Sequence, residues 1–431
     1  MGSSKSHPQL SSQPLVRLTR IFQDISRNLL SNDDLINALI PFSVALHLTK
    51  QSRELGLISL FAWLVLQMSA AIRKLILKSS TQATLVAWGG LLGFLLLNAR
   101  NVIERDDYRG PVQFLLILTG LLISSQFSKK QWLSLLRWLG IAIIPIATWF
   151  AWRMHLNDDW SIRSIYRIYY EYTKQSMGSI NRLATTAGLL TLSAWYSTTQ
   201  MHQIPARAAS LIIAFAGYLI VLGTGSRMAI IAVPIAISIP WLWMRINNRL
   251  SAKQLIITSI ATLGLTGSLA WHFVIAKGFA SSDVMRLRMA SCWIDKGMLK
   301  PTERFWIGTG FDSAKLREAC EYIRPGSPFG HAHNTLANIA GHHGLLGIIV
   351  LISFSMLVAY GLLRQQRVST KIFSWPPFNS TSWAEISLGL NLTLLIFAAS
   401  TTIYVSSPIN QVLIGLGAGS ALAWQSPDQS Q

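Results

Sequence analysis

The sequence predicts an all-α integral membrane protein with about twelve transmembrane helices, and three observations predict it. Apolar residues make up 51% of the chain and charged residues only 13%, about half the charged share of an ordinary soluble domain; the mean hydropathy is +0.39. The apolar residues come in blocks of about 15–22, the length at which a helix crosses a bilayer. The basic residues between those blocks then set an orientation. A soluble fold of this composition would need a large core with almost no charged surface to cover it.

Read with helical periodicity, the blocks fall at 35–49, 55–72, 83–99, 111–127, 132–152, 181–199, 208–223, 227–244, 255–276, 335–363, 383–403 and 408–424. The block at 335–363 is long enough to hold a non-spanning turn before its span. With the N-terminus inside, the inside segments carry Lys5, Arg17, Arg20 and Arg27; Arg73, Lys74 and Lys78; Lys129 and Lys130; Arg207; Arg245, Arg249 and Lys253; and Arg364, Arg367 and Lys371. Every inside segment is thus basic, as the positive-inside rule requires. An even number of spans returns the C-terminus inside. The chain divides into an inside N-terminal segment, 1–34, a membrane domain, 35–424, and an inside tail, 425–431. The N-terminal segment is basic and Ser-rich with no apolar core before residue 35, so no cleaved signal peptide is expected.

Two large segments lie outside, 153–180 and 277–334. In the first, "SIRSIYRIYYEYTK" repeats apolar and aromatic residues at roughly helical spacing, which predicts an amphipathic helix lying at the membrane interface. The second is the longest polar stretch of the chain, and long structured loops on a scaffold commonly carry function.

The formal net charge is +19. The inside cations face anionic lipid and act as topology determinants. Basic residues lie on both faces, which argues against a nucleic-acid partner. The arginines in outside segments are the informative ones, because the rule predicts few there. The acidic pairs Asp106–Asp107 and Asp158–Asp159 read as solvated loop charges. The two cysteines, Cys292 and Cys320, both fall in 277–334. In an oxidising compartment they form a disulfide closing roughly 29 residues, worth about 3 kcal/mol in the chain-entropy account; otherwise they are two buried thiols.

"HAHNTLANIAGHHGLLG", 331–347, holds four of the nine histidines. Projected on a helix, His333 and His342 point to opposite sides, and His331 and His342 are separated by about 16 Å of rise. Neither pair chelates one ion, and no His-Glu-x-x-His or Cys-x-x-Cys motif accompanies them; no metal and no cofactor are expected. Asn334 is a plausible N-cap for the helix that follows, whose positive end faces the outer water and favours an anion. His342 and His343 read as packing. His331 and His333 lie at the solvent edge, where an imidazole, titrating near neutral pH, can serve as a base.

"VLGTGSRMAIIA", 221–232, joins two apolar blocks by an outside glycine turn. Ser226 is a candidate N-cap, and Arg227 falls in the first turn, where a cation opposes the helix dipole. An anion held jointly by the turn, the helix N-terminus and the guanidinium accounts for it; a snorkelling arginine is the alternative. "SDVMRLRMASCWIDKGMLKP", 282–301, adds Arg286 and Arg288, and "WIGTGFDS", 306–313, reads as a glycine turn closing that segment. Arginine suits phosphate through bidentate hydrogen bonds.

These pieces resemble the O-antigen ligase and O-antigen polymerase superfamily, the ligase more closely. The resemblance rests on His333–Asn334 followed by Gly344 and Gly347, on "GSRMAIIA", and on the arginine-to-proline run that ends at Pro301 before "GTG", with Arg227 and Arg286 in the arginine positions. The connection "PTERFWIGTG" is longer than the family's usual one, which blurs the choice between Arg286 and Arg288. The resemblance implies a bacterial inner-membrane glycosyltransferase of the lipid-donor, GT-C-like class, with 153–180 and 277–334 as periplasmic loops and both termini cytoplasmic. It implies transfer of a glycan from undecaprenyl diphosphate to lipid A–core in lipopolysaccharide biosynthesis, without a metal. His333 would be the general base, Arg227 and Arg286 the diphosphate ligands with Arg288 beside them, and Asn334, Ser226, Gly344, Gly347 and His331 the supporting residues. An O-antigen polymerase and a protein O-oligosaccharyltransferase share this donor and chemistry. A transporter of lipid-linked anions is a further alternative, though it needs polar groups near the bilayer midplane and usually internal repeats, and neither is evident.

Overall fold

The computed structural model describes residues 33–77, four residues within 89–93, 109–174, 179–247 except 202, 281–323 except 301, 311 and 312, 332–368, 382–400 and 408–423. The expected spans at 83–99 and 255–276 lie largely or wholly outside these residues, as does His331. Among the described residues the regular elements are all helical. They are α1 Asp33–Asn37, α2 Leu39–Leu46, α3 Arg53–Leu77, α4 Arg109–Ser125, α5 Lys129–Ile141, α6 Ile143–Leu156, α7 Ser164–Ile168, α8 Ile180–Gln200, α9 Ile204–Thr224, α10 Arg227–Asn247, α11 Ser281–Ile294, α12 Ser313–Ala319, α13 Thr335–Val368, α14 Trp383–Ser400 and α15 Pro408–Leu422.

Four of the described helical stretches are long and apolar enough to cross a membrane: Arg53–Ile72, Lys129–Leu156, Ile204–Thr224 and Thr335–Gln365. Shorter apolar helices cover Asp34–Leu46, Val112–Ser125, Arg227–Pro240 and Trp383–Ala399. The described residues are therefore consistent with an all-α, multi-pass membrane protein. The local signals explain several boundaries. Ser128 and Gln131 form a reciprocal capping box that starts α5. Pro205 sits in the first turn of α9, where its missing N–H costs nothing.

The polar helix α8 runs through the middle, packed by α5, α9, α10, α14 and α15. Its hydroxyls are satisfied within the helix: Thr185 donates to Asn181 O at 2.8 Å, Thr191 to Ala187 O at 2.6 Å and Ser193 to Leu189 O at 2.9 Å. Small hydroxyl residues allow close helix approach without leaving a polar group stranded.

Close contacts fix the helix directions. On α4 and α15, Gly415 meets Ile117 and Gly419 meets Ser124, so residue numbers rise together and the two run parallel. On α13 and α15, Gly361 meets Ala421, and the Gln365 amide donates to the Ser420 carbonyl at 2.8 Å. Gly389 of α14 meets Ala236 of α10, while Phe397 and Val233 share a contact with Gly188; one number falls as the other rises, so α10 and α14 are antiparallel. The Asn410 amide donates to the Arg182 carbonyl at 3.2 Å, placing the starts of α15 and α8 together. The starts of α8, α10, α13 and α15 and the end of α14 therefore gather at one end of the bundle.

Candidate active site

At that end the chain turns sharply into α13. Asn334 is its N-cap: the side-chain oxygen accepts from Ala337 N–H at 2.9 Å, and the side-chain amide donates to Ala399 O, at the end of α14, at 2.9 Å. His333 lies just before this cap in the left-handed region, φ 55°, a conformation that disfavours a side chain of its size. It is not helical, so a helical projection through it does not apply. His333 is half-buried with its Nε2 buried, so it does not stand open at the solvent edge as its place before the helix suggested. Ala332 is fully buried, and its N–H donates to the side-chain oxygen of Asn338, itself fully buried, at 3.0 Å. Two asparagines thus hold the backbone on both sides of His333.

Thr335–Val368 is not one straight helix. Gly344 has φ 58° and ψ −153°, a region essentially restricted to glycine, so a stub, 335–343, precedes the longer helix. The predicted glycine turn of 306–313 docks on this break. Leu345 N–H donates to Phe305 O at 2.8 Å, Gly310 N–H to His342 O at 2.7 Å and Thr309 N–H to Gly341 O at 3.1 Å. Backbone packs directly on backbone here, Gly308 against His342 and Gly297 against Gly341. Gly347 sits beneath the side chains of His343 and Ile339.

His342 and His343 are packing residues, as their spacing suggests. His342 Nδ1 is 2.6 Å from Gly310 O, and its ring meets Trp293 edge-on at 5.0 Å. His343 is buried and meets Phe114 of α4 edge-on at 6.1 Å.

Cys292 and Cys320 form a disulfide, with Cα atoms 6.1 Å apart. Around it Met289, Trp293, Leu316, Ala332 and Ala337 make a small core of their own. The residue next to His333 is therefore part of the disulfide's core. Arg286 and Arg288 are exposed on α11, the helix whose buried face forms that core and packs on α13.

Arg227 is half-buried at the start of α10. Gly225, φ 65°, closes α9 with its N–H on Leu222 O at 3.0 Å, an αL cap that glycine adopts without penalty. The Thr224 hydroxyl accepts from Ser226 N–H at 3.2 Å, and Ser226 O accepts the first helical bond, from Ile230, at 3.0 Å. Gly223 packs against Ile165 and the Ile162 carbonyl, so this turn carries the 153–180 segment on its flank. The antiparallel packing of α10 and α14 puts Arg227 at the level of Ala399, to which Asn334 is bonded. Asn338 went unmarked in the sequence; a lone asparagine in "LANIA" was its only signal.

Residues 208–352 match the family described as O-Antigen ligase. The match covers about a third of the chain and supports a likeness to the O-antigen ligase and polymerase superfamily. No curated protein matches the chain. The matched segment starts in α9 and ends just beyond the break in α13, and it contains Arg227, Arg286, Arg288, both cysteines, His333, Asn334, Gly344 and Gly347. The match supports enzymatic activity in general, of the kind found in that family.

Proposed function

We propose that this chain is an O-antigen ligase, transferring a glycan from undecaprenyl diphosphate to lipid A–core at the periplasmic face of a bacterial inner membrane. The observation that carries the reading is the turn at 332–338. Two asparagine side chains hold a histidine in a disfavoured backbone conformation at the cap of a helix. Such strain persists where the surroundings enforce it, and it concentrates at functional sites.

The reaction forms a bond between an acceptor hydroxyl oxygen and the anomeric carbon and breaks the bond from that carbon to the diphosphate. His333 takes the hydroxyl proton, an effect worth typically 10²–10⁴-fold. The leaving diphosphate departs with the electron pair, and fixed cations stabilise the charge it gains. Arg227 and Arg286 fill that role with Arg288 beside them. Attack in one displacement inverts the anomeric configuration, and no step requires a metal. The positive N-termini of α10 and α13 at the same end of the bundle reinforce the preference for an anion.

The test is complementation of a ligase-null strain. His333→Ala and Arg227→Ala are expected to reach the membrane in normal amount and to leave lipid A–core uncapped. Near-normal capping by either variant refutes the site. Glycan–glycan or glycan–protein products from purified enzyme, with lipid A–core untouched, move the reading to polymerase or protein oligosaccharyltransferase.

A further inference from the structure

The segment 161–174 reads from the sequence as an amphipathic helix at the membrane interface. In the structure its aliphatic side packs on protein. Ile165, Ile168 and Tyr169 are buried against the protein, and the Trp149 indole donates to the Thr173 hydroxyl at 3.3 Å beneath them. The outer stripe is Arg163, Tyr166, Arg167, Tyr170, Glu171 and Lys174, all exposed. A helix inserted in the interface segregates apolar residues from charges; this stripe mixes charges with hydroxyl-bearing rings, and Trp160 and Ile162 are exposed beside it.

The two tyrosines are pre-organised. They are 47% and 40% exposed, with ring centroids 4.7 Å apart. Partial burial and a hydrogen bond with Tyr166 push the Tyr170 hydroxyl up to about 12. Lys174 lies over the Tyr170 ring at 5.0 Å, and Arg167 is fixed by Asp159 at 3.0 Å. Tyrosine offers flat amphipathic area at a low entropy cost. A pyranose ring presents the complement, a C–H face for a ring and hydroxyl edges for Tyr, Arg and Lys.

The stripe is also placed for a substrate. The Ile165 side chain, next to Tyr166, and the Ile162 carbonyl, next to Arg163, pack on Gly223 before the turn that leads to Arg227. We propose that the Tyr166–Tyr170 face is a carbohydrate-binding platform that receives the glycan chain of the lipid-linked donor while Arg227 receives its diphosphate. This rests on the ligase reading for the identity of the donor, but the face can be tested without it.

Two measurements on the full-length protein in nanodiscs decide. The first uses free glycan, released from the lipid of the producing cells by mild acid and carrying no lipid phosphate. Wild type is expected to bind it, Tyr166→Ala/Tyr170→Ala at least tenfold more weakly, and Tyr166→Phe/Tyr170→Phe in between. Arg227→Ala is expected to bind it like wild type. The second uses donor turnover: the alanine pair should raise KM about tenfold for donor with several sugars and less than twofold for donor trimmed to one. Unchanged free-glycan binding by the alanine pair overturns the proposal. Tyrosine-dependent glycan binding in a protein that transfers nothing keeps the platform and removes the ligase reading.

Discussion

The turn that carries His333 and the turn that carries Arg227 lie at the same end of the bundle and both contain a residue at positive φ. They reach that geometry by opposite means. At Gly225 the left-handed residue is a glycine, so the turn is stable by backbone preference alone and needs only Leu222 O and the Thr224 hydroxyl to close it. At His333 the left-handed residue has a side chain, and the turn is imposed from outside. Asn338 holds the residue before it, Asn334 caps the helix after it, Ala399 anchors Asn334, and the disulfide core buries Ala332. A glycine turn tolerates loss of its neighbours. An imposed turn does not, and so the two should fail under different substitutions.

The largest separation should come from the disulfide. Cys292→Ser/Cys320→Ser removes a link across 28 residues of sequence, worth about 3 kcal/mol in the chain-entropy account. Hydrogen exchange is expected to show faster exchange at 332–343 and unchanged protection at 221–230. Equal loosening of both regions would show that the two turns are one cooperative unit, which contradicts the comparison.

Next is Asn338→Ala. It strands the buried Ala332 N–H, a cost of about 1–3 kcal/mol, and frees His333 from its enforced conformation. Transfer in vitro is expected to fall about tenfold or more at unchanged donor affinity, with partial recovery in Asn338→Ser. A variant with normal turnover and only a lower melting temperature would reduce Asn338 to a stability role.

Much of the imposed turn was legible in the chain. Asn334 before an apolar run is a readable cap, "WIGTGFDS" a readable turn, and two cysteines in one long polar segment a readable pair. The break at Gly344 was not, because an apolar block conceals a change in ψ at a single glycine; its length alone hinted at a turn before the span. Asn338 was not, because its value lies in bonding backwards to residue 332, which only the folded turn brings within reach. What covers the aliphatic side of α7 was not legible for a related reason. Periodicity says which residues of a helix are apolar and says nothing of whether lipid or protein covers them, and Ile165 and Ile168 are covered by protein.

On the glycine side the expected effects are smaller. Gly225→Ala places a Cβ in the left-handed region at a cost of about 1–2 kcal/mol. The melting temperature should drop by a few degrees while exchange at 332–343 stays as in wild type. A collapse of protection around His333 in this variant would mean that the Arg227 turn props up the other.

The smallest effect concerns the segment flanking the Arg227 turn and depends on pH. The Ser161 hydroxyl and N–H, and then Arg167, hold the Asp159 carboxyl below the ordinary carboxylate range. Since the folded-state value is depressed, the contribution to stability is fully present above the unfolded value near 3.9 and is lost as pH falls through the folded value. The pair is open to solvent, and surface ion pairs contribute little. Above pH 5 the melting curve should therefore be flat for this group, with a slight decline below pH 4 that Asp159→Asn abolishes. The variant should also loosen Arg167 beside the Tyr166–Tyr170 face and leave exchange at 332–343 unchanged at every pH. A pH-dependent response at the His333 turn that vanishes in Asp159→Asn would connect two regions that the helix packing keeps apart.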